Sequence, residues 1–189
     1  MIRQTSTLLL LAAAIASPCA AQAIDPARSR ITVLARQMNV PVEAPFRKFS
    51  AQVSFDPGKP EAASARIEID LNSFDIGDPE INESVKERNW FDTKNHPTAR
   101  FVSSSVRALG GRRFEARGPL TIKGKTFEVA APFTVKAEGG ARIYEGAFPI
   151  RRLQYDIGDA HWRDTSVVAD EVQIRFRLHQ TFAKAAPAK

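Results

Sequence analysis

Scarcity of reactive side chains limits what this chain can do. Its 189 residues hold a single cysteine, Cys19, and three histidines, His96, His161 and His179. One thiol cannot close an internal disulfide, so the fold must be held by its core. No histidine stands at metal-ligand spacing from another or from the cysteine. His161 lies beside Trp162 and near Asp159 and Asp164, but mixed Asp/His turns are common without any acid–base or metal role. No serine occupies a Gly-x-Ser-x-Gly elbow, and no glycine-rich phosphate loop occurs. Nucleophilic catalysis and nucleotide binding therefore lack a motif. There is also no basic helix. The net charge of +6 is carried by lysines and arginines spread singly over strands and turns, with Arg112-Arg113 and Arg151-Arg152 as adjacent pairs. That spacing reads as a solvated outer face and argues against a nucleic-acid partner.

Long apolar runs are missing too, apart from one at the start. Arg3 forms a short positive region and residues 8–16 an apolar one. Pro18 then breaks the run, and Cys19-Ala20-Ala21 and Ala21-Gln22-Ala23 both approximate a small-x-small cleavage site. Residues 1–21 are expected to be a secretory signal, too short to span a bilayer. Ala16-Ser17-Pro18 is a poor lipoprotein sequence, so ordinary cleavage after Ala21 or Ala23 is expected rather than lipidation of Cys19. Removing the signal takes only Arg3 from the charged residues and lowers the net charge of +6 by one. What remains is one domain, 22–182, with an expected disordered tail over 183–189. The expected location is the periplasm.

The domain is rich in period-two alternation. Residues 49, 51, 53 and 55 are apolar between polar neighbours, and so are 65, 67, 69 and 71. Val172, Ile174, Phe176 and Leu178 alternate with Glu171, Gln173, Arg175 and Arg177 in the same way. Each is a strand with one wet and one dry face. Eight strands are expected, over 30–36, 49–55, 65–71, 99–108, 113–122, 126–137, 143–150 and 170–178. Asp56-Pro57-Gly58, Gly110-Gly111, Lys123-Gly124 and Gly139-Gly140 supply turns. Residues 38–46, with Pro41 and Pro45, and 151–165 read as irregular. One helix interrupts the strands, between the third and fourth. Asp78 can cap it, Pro79 suits its first position, and Glu80 and Glu83 sit near the positive end of its dipole. It is expected to run to Asn89, with Ile81 and Val85 on one face against the barrel. Phe74-Asp75-Ile76-Gly77-Asp78 is echoed by Tyr155-Asp156-Ile157-Gly158-Asp159, which reads as two strand-exit turns built on the same Asp and Gly chemistry.

A meandering β-chain with one inserted helix predicts an eight-stranded antiparallel barrel. At that size the interior is either filled by side chains or holds one ligand. The residues alone leave both open. The inward phase is expected to comprise Phe49, Val53, Phe55, Ile67, Ile69, Phe101, Leu120, Phe133 and Ile174.

Several motifs in this order and spacing carry a family resemblance over about residues 27–178. They are Phe46-Arg47-Lys48-Phe49 with Val53-Ser54-Phe55-Asp56-Pro57, and Ile67-Glu68-Ile69-Asp70 with Ser73. Trp90-Phe91-Asp92 with His96-Pro97-x-Ala99-x-Phe101 comes next. Gly118-Pro119-Leu120-Thr121-Ile122-Lys123-Gly124-Lys125-Thr126 follows, and Tyr155-Asp156-Ile157-Gly158 with Trp162 and Asp170-Glu171-Val172 ends the series. The chain resembles the YceI-like family of exported, lipocalin-like proteins. The resemblance implies an extended all-β barrel whose lumen takes a long apolar chain, such as a polyisoprenoid or an isoprenoid quinone. It implies no catalytic set, no metal and no other cofactor. Tyr155-Asp156-Ile157-Gly158-x-x-x-Trp162 resembles the branch found with membrane b-type cytochromes. A ligand-free accessory subunit docking on such a redox protein is therefore the second reading. Where the family commonly has glycine before the Phe46 position, this chain has Pro45, which implies a different loop at one barrel mouth.

Overall fold

The computed structural model describes residues 22–181, so the signal over 1–21 and the tail over 183–189 lie outside the described residues. The strands are β1 (Gln22–Ala23), β2 (Arg30–Gln37), β3 (Val40–Phe46), β4 (Phe49–Ser54), β5 (Ser64–Asp70), β6 (Thr98–Val102), β7 (Ser105–Gly110), β8 (Arg113–Ile122), β9 (Lys125–Glu138), β10 (Ala141–Arg151) and β11 (Glu171–Thr181). They form one antiparallel sheet in the order β1-β4-β5-β6-β8-β9-β10-β11-β2-β3, with β7 paired to β8. The protein is an all-β, lipocalin-like barrel.

The sheet is joined into a ring by the chain itself. β3 ends the path and β4 lies beside β1 at its other end, yet only Arg47 and Lys48 separate β3 from β4. Because every pairing along the path is antiparallel, β3 and β4 run in the same direction. They are one long strand, bent at Arg47-Lys48. Its first half pairs with β2 (Ile31 opposite Phe46) and its second with β5 (Val53 opposite Ala65). Taking β3 with β4, and β6 with β7, the ring has eight lines of strand. β1 fills the gap left beside β4 beyond the bend. The Ile24 N–H reaches the Ala51 carbonyl at 3.1 Å, and the Asp25 N–H reaches the His179 carbonyl of β11 at 2.7 Å. Closure of this kind removes most of the exposed strand edge that invites aggregation.

Residues 40–46, expected to be irregular because of their prolines, are strand β3. Its far edge faces no ladder partner, so a missing proline N–H costs nothing there. The Pro45 carbonyl points to that edge and accepts the Asp75 N–H at 3.0 Å. The expected single strand over 99–108 is broken at Ser103-Ser104. The Ser103 hydroxyl accepts the Ala65 N–H at 2.8 Å, and the Ser104 N–H turns to the Arg117 carbonyl at 2.7 Å. These serines make the kink instead of lining the outside of a strand. Gly118 permits it, since a Cβ there would run into the Val102 carbonyl.

The helix α1 (Pro79–Ser84) sits between β5 and β6 and is shorter than expected. The Asp78 carboxylate caps it, accepting the N–H groups of Glu80 and Ile81. Irregular turns replace the stretch to Asn89. Val85 is buried, but Ile81 is 41% exposed, so the two do not share a covered face. With barely a turn and a half of helix, only its C-terminal end reaches the core beside Phe91. The two echoed turns also differ. The Asp75 carboxylate accepts the Gly77 N–H at 2.9 Å, Asn82 and Arg47. Those hydrogen bonds, the Gly77 N–H first, lower its pKa. Asp156 instead takes left-handed backbone (φ 53) and pairs with Lys125 at 3.0 Å.

Candidate functional site: the barrel lumen

Inside the ring lies a cavity of about 200 Å³. Of the nine residues assigned to the inward phase, Val53, Phe55, Ile67, Ile69, Phe101, Leu120, Phe133 and Ile174 border it. Phe49 does not. It packs partly buried against the core at the first position of β4, just past the bend. Sequence reading missed much of the opposite wall, including Val33, Ala35, Phe46, Phe148, Ile150 and Phe176. The even phase of β10 and the odd phase of β2 carried the signal for most of these.

The void is unevenly distributed. Val33, Ala35, Ile67, Ile69, Ile174 and Phe176 point inward but keep accessible surface, whereas Phe114, Ala116, Leu120, Tyr144, Phe148 and Ile150 are buried. Empty space therefore lies between the β2–β11 wall and the β5 wall, flanking the bent strand. Side chains fill the rest. Phe55, Phe114, Phe133 and Tyr144 pack edge-on, tilted or stacked, with ring centroids 4.9–6.2 Å apart, and wall off one end. The Tyr144 hydroxyl donates to Gln180 Oε1 at 2.6 Å, and Gln180 Nε2 donates to the Val53 carbonyl at 2.7 Å. Burial raises the Tyr144 pKa, opposed by Arg142.

Two arginines bracket the lumen, Arg142 near the start of β10 and Arg152 just past its end. Arg142, at the aromatic end, donates from Nη1 to the Phe55 carbonyl at 2.5 Å, and its guanidinium lies 5.7 Å from the Phe55 ring centroid. Arg152, at the other end, is only 2% exposed. Its five N–H groups go to five backbone carbonyls. Nε reaches Ala169 at 3.0 Å, Nη1 reaches Ile157 at 2.9 Å and Gly158 at 3.1 Å, and Nη2 reaches Trp162 at 2.7 Å and Val168 at 2.6 Å. The donor inventory of a guanidinium is thereby used up. Burial lowers its pKa, and Asp170 opposes the shift. Arg152 thus does not belong to a solvated pair with Arg151; it pins residues 157–169 across the barrel end.

More ties hold that end. Lys123 Nζ donates to the Arg88 and Asp156 carbonyls at 2.6 Å each. The N–H groups of Gly158 and Asp159 both reach the Asn89 carbonyl, and Trp90 packs on Trp162 with centroids 5.4 Å apart. Beneath them the Tyr155 ring packs edge-on to Phe127, and burial pushes its pKa up to about 12. His161 is exposed and leans on Trp162. Among the described residues no group of three His, Cys, Asp or Glu could hold a metal ion.

An antiparallel barrel around a central cavity bordered mainly by apolar side chains is a lipocalin-like fold. The family follows from comparison with known proteins. Residues 22–180 match the YceI-like domain, and the chain belongs to that family. The crystal structure of Burkholderia cenocepacia BcnA is similar, with a TM-score of 0.82 and 47% identity over 84% of this chain and 99% of that one. A polyisoprenoid binding domain from Saccharophagus degradans, implicated in plant cell wall breakdown, shares the fold with a TM-score of 0.69 at 16% identity, covering 86% of this chain and 99% of that one. A UPF0312 protein of Azotobacter vinelandii is 31% identical over 77 residues, 41% of this chain and 40% of the relative. The matched part thus spans well under half the length of that curated relative.

Proposed function

We propose that the protein holds a long isoprenoid or similar apolar chain, such as a polyisoprenoid or an isoprenoid quinone, in its lumen. It serves as a periplasmic carrier, store or sensor and performs no chemistry of its own. The observation that carries this reading is the apolar cavity of about 200 Å³ inside the ring. A dry apolar cavity of about 150 Å³ already takes benzene, while drug-sized sites run to about 300–1,000 Å³. As it stands the void has room for a small guest, and a long chain must widen it by moving side chains. Among the described residues that border the lumen the one cation is Arg152, and all five of its donors are engaged. An uncharged tail accordingly fits it best. Burying that tail gains roughly 25 cal/mol per Å² without any ionic anchor.

Organic-solvent extraction of natively purified protein, read by mass spectrometry, tests this. A co-purifying isoprenoid or fatty chain is expected. A protein that never carries one favours the second reading, an accessory subunit docking on a membrane b-type cytochrome. For that reading the relevant observation is the β2–β3 tip, where Met38 and Val40 are 67% and 61% exposed.

A further inference from the structure

The ring has a seam that no long strand pairing closes. β2 begins at Arg30, opposite Arg177, so the last residues of β11 run on past it. β4 begins only beyond the bend and pairs with β5 along its other edge. The segment Gln22–Ser29, which is β1 followed by a short 3-10 turn over Pro26–Arg28, straps these two edges together. Gln22 stands opposite Val53 and Ala23 opposite Gln52. Ile24 is buried in the core, so the strap is part of the barrel wall. Val53 on one edge of the seam and Leu178 on the other border the cavity.

His179 is the seat of the strap. Its N–H donates to the Ser29 hydroxyl at 2.8 Å, and its carbonyl accepts the Asp25 N–H at 2.7 Å. It stands on the outward phase of β11, next to Leu178 on the inward one, and is nevertheless buried. Nε2 accepts from Arg177 Nε at 3.3 Å, which leaves the ring proton on Nδ1, buried without a partner. A second proton has to enter at Nε2, where Arg177 already points a donor. The charged groups around the ring are Asp25 and Arg28 of the strap, Arg177 of β11 and Glu138 at the end of β9. Burial and the two arginines together outweigh the two carboxylates and hold the imidazole below its ordinary pKa of 6.5. An imidazolium is relieved when the strap lifts, Arg28 departs and water reaches the ring.

We propose that Gln22–Ser29 is an acid-released latch. Protonation of His179 frees the strap from β11, and the wall loosens between β4 and β11 so that a bound chain is let go. The Gln180 Nε2 hydrogen bond to the Val53 carbonyl still spans the seam, which keeps the ring from falling apart. The latch stands on the strap itself; its effect on a guest rests on the apolar-chain reading above.

Hydrogen exchange, corrected for its intrinsic pH dependence, reads the latch without any ligand. Protection of residues 22–29 is expected to fall at least tenfold from pH 7.5 to pH 5, while β8 and β9 keep theirs. His179→Leu is expected to hold the strap shut at both pH values. Release of preloaded N-phenyl-1-naphthylamine reads the consequence. It is expected to be at least tenfold faster at pH 5 than at pH 7.5 in the parent and independent of pH in His179→Leu. In a Cys19→Ser background, Ala23→Cys and Gln52→Cys stand opposite each other for a disulfide. Oxidising that pair is expected to abolish the acid-induced release, and reduction to restore it. Unchanged strap protection in acid, or a loss that persists in His179→Leu, overturns the latch and leaves the carrier reading standing. Acid-induced release that persists in the oxidised pair overturns the seam as the place of opening. A parent that takes up no dye overturns the carrier reading, while the exchange result still decides the latch.

Discussion

The guanidinium of Arg152 occupies the space that a side chain at Gly158 would need. Its Nη1 donates to the Gly158 carbonyl at 3.1 Å, and a Cβ at 158 would run into the same nitrogen. Gly158 also has φ 77, a conformation that side chains disfavour. The two residues are therefore one structural unit. Arg152→Met should destabilise the protein by about 3–5 kcal/mol, since buried carbonyls lose their donors. Gly158→Ala should cost more than the roughly 1 kcal/mol of backbone strain alone. Combining the two should cost less than the sum of the single effects, because Met at 152 relieves the clash. Urea titrations of the three variants check this.

Val85 and Ile81 separate the covered end of the helix from its exposed side. Val85→Asp should lower stability by a few kcal/mol, as a carboxylate enters the core without a partner. Ile81→Asp should stay within about 0.5 kcal/mol of the parent. Equal melting of the two variants would place Val85 outside the core.

Ile67 keeps accessible surface inside the lumen, so a larger side chain there has room to grow. Ile67→Trp should fill the void and abolish co-purification of an apolar chain while leaving the circular dichroism spectrum intact. Phe49→Ala should leave the bound chain in place, because Phe49 does not border the cavity.

His179 supplies a pH dependence. It is 7% exposed, its Nδ1 has no hydrogen-bond partner, and its Nε2 accepts from Arg177 Nε at 3.3 Å. Burial first, then Arg28 and Arg177, lower its pKa from 6.5, against the weaker pull of Asp25 and Glu138. The unfolded chain then binds a proton that the folded one refuses. Stability from this group is fully present above pH 6.5 and falls as the pH drops through the folded value. Denaturant midpoints measured from pH 7.5 to pH 5 should decline, and His179→Leu should flatten that decline.

Alternation made the wall of the barrel legible. Residues 49–55, 65–71 and 171–178 announced both strand and phase, and eight of nine proposed inward residues border the cavity. The bend at Arg47-Lys48 was not legible, because Pro41 and Pro45 normally argue against a strand and only an unpartnered edge tolerates them. Arg152 was hidden for a different reason. Beside Arg151 it looks like one more solvated cation, and only the even phase of Tyr144, Phe148 and Ile150 places it inside. The helix was shortened by tertiary packing: its cap and first turn are local chemistry, but its length was decided by where Val85 and Phe91 meet the core.

The bend between β3 and β4 also dictates how the ring can stretch. Along every other line, neighbouring strands are held by hydrogen bonds and can part or slip by two residues to let a wide guest through. At this seam both halves belong to one covalent thread, so the register there is fixed by the backbone and cannot drift. A single peptide-bond cleavage between Arg47 and Lys48 would leave the hoop closed by hydrogen bonds alone, those of Ile24 and Asp25 to β4 and β11 and that of Asp75 to the Pro45 carbonyl.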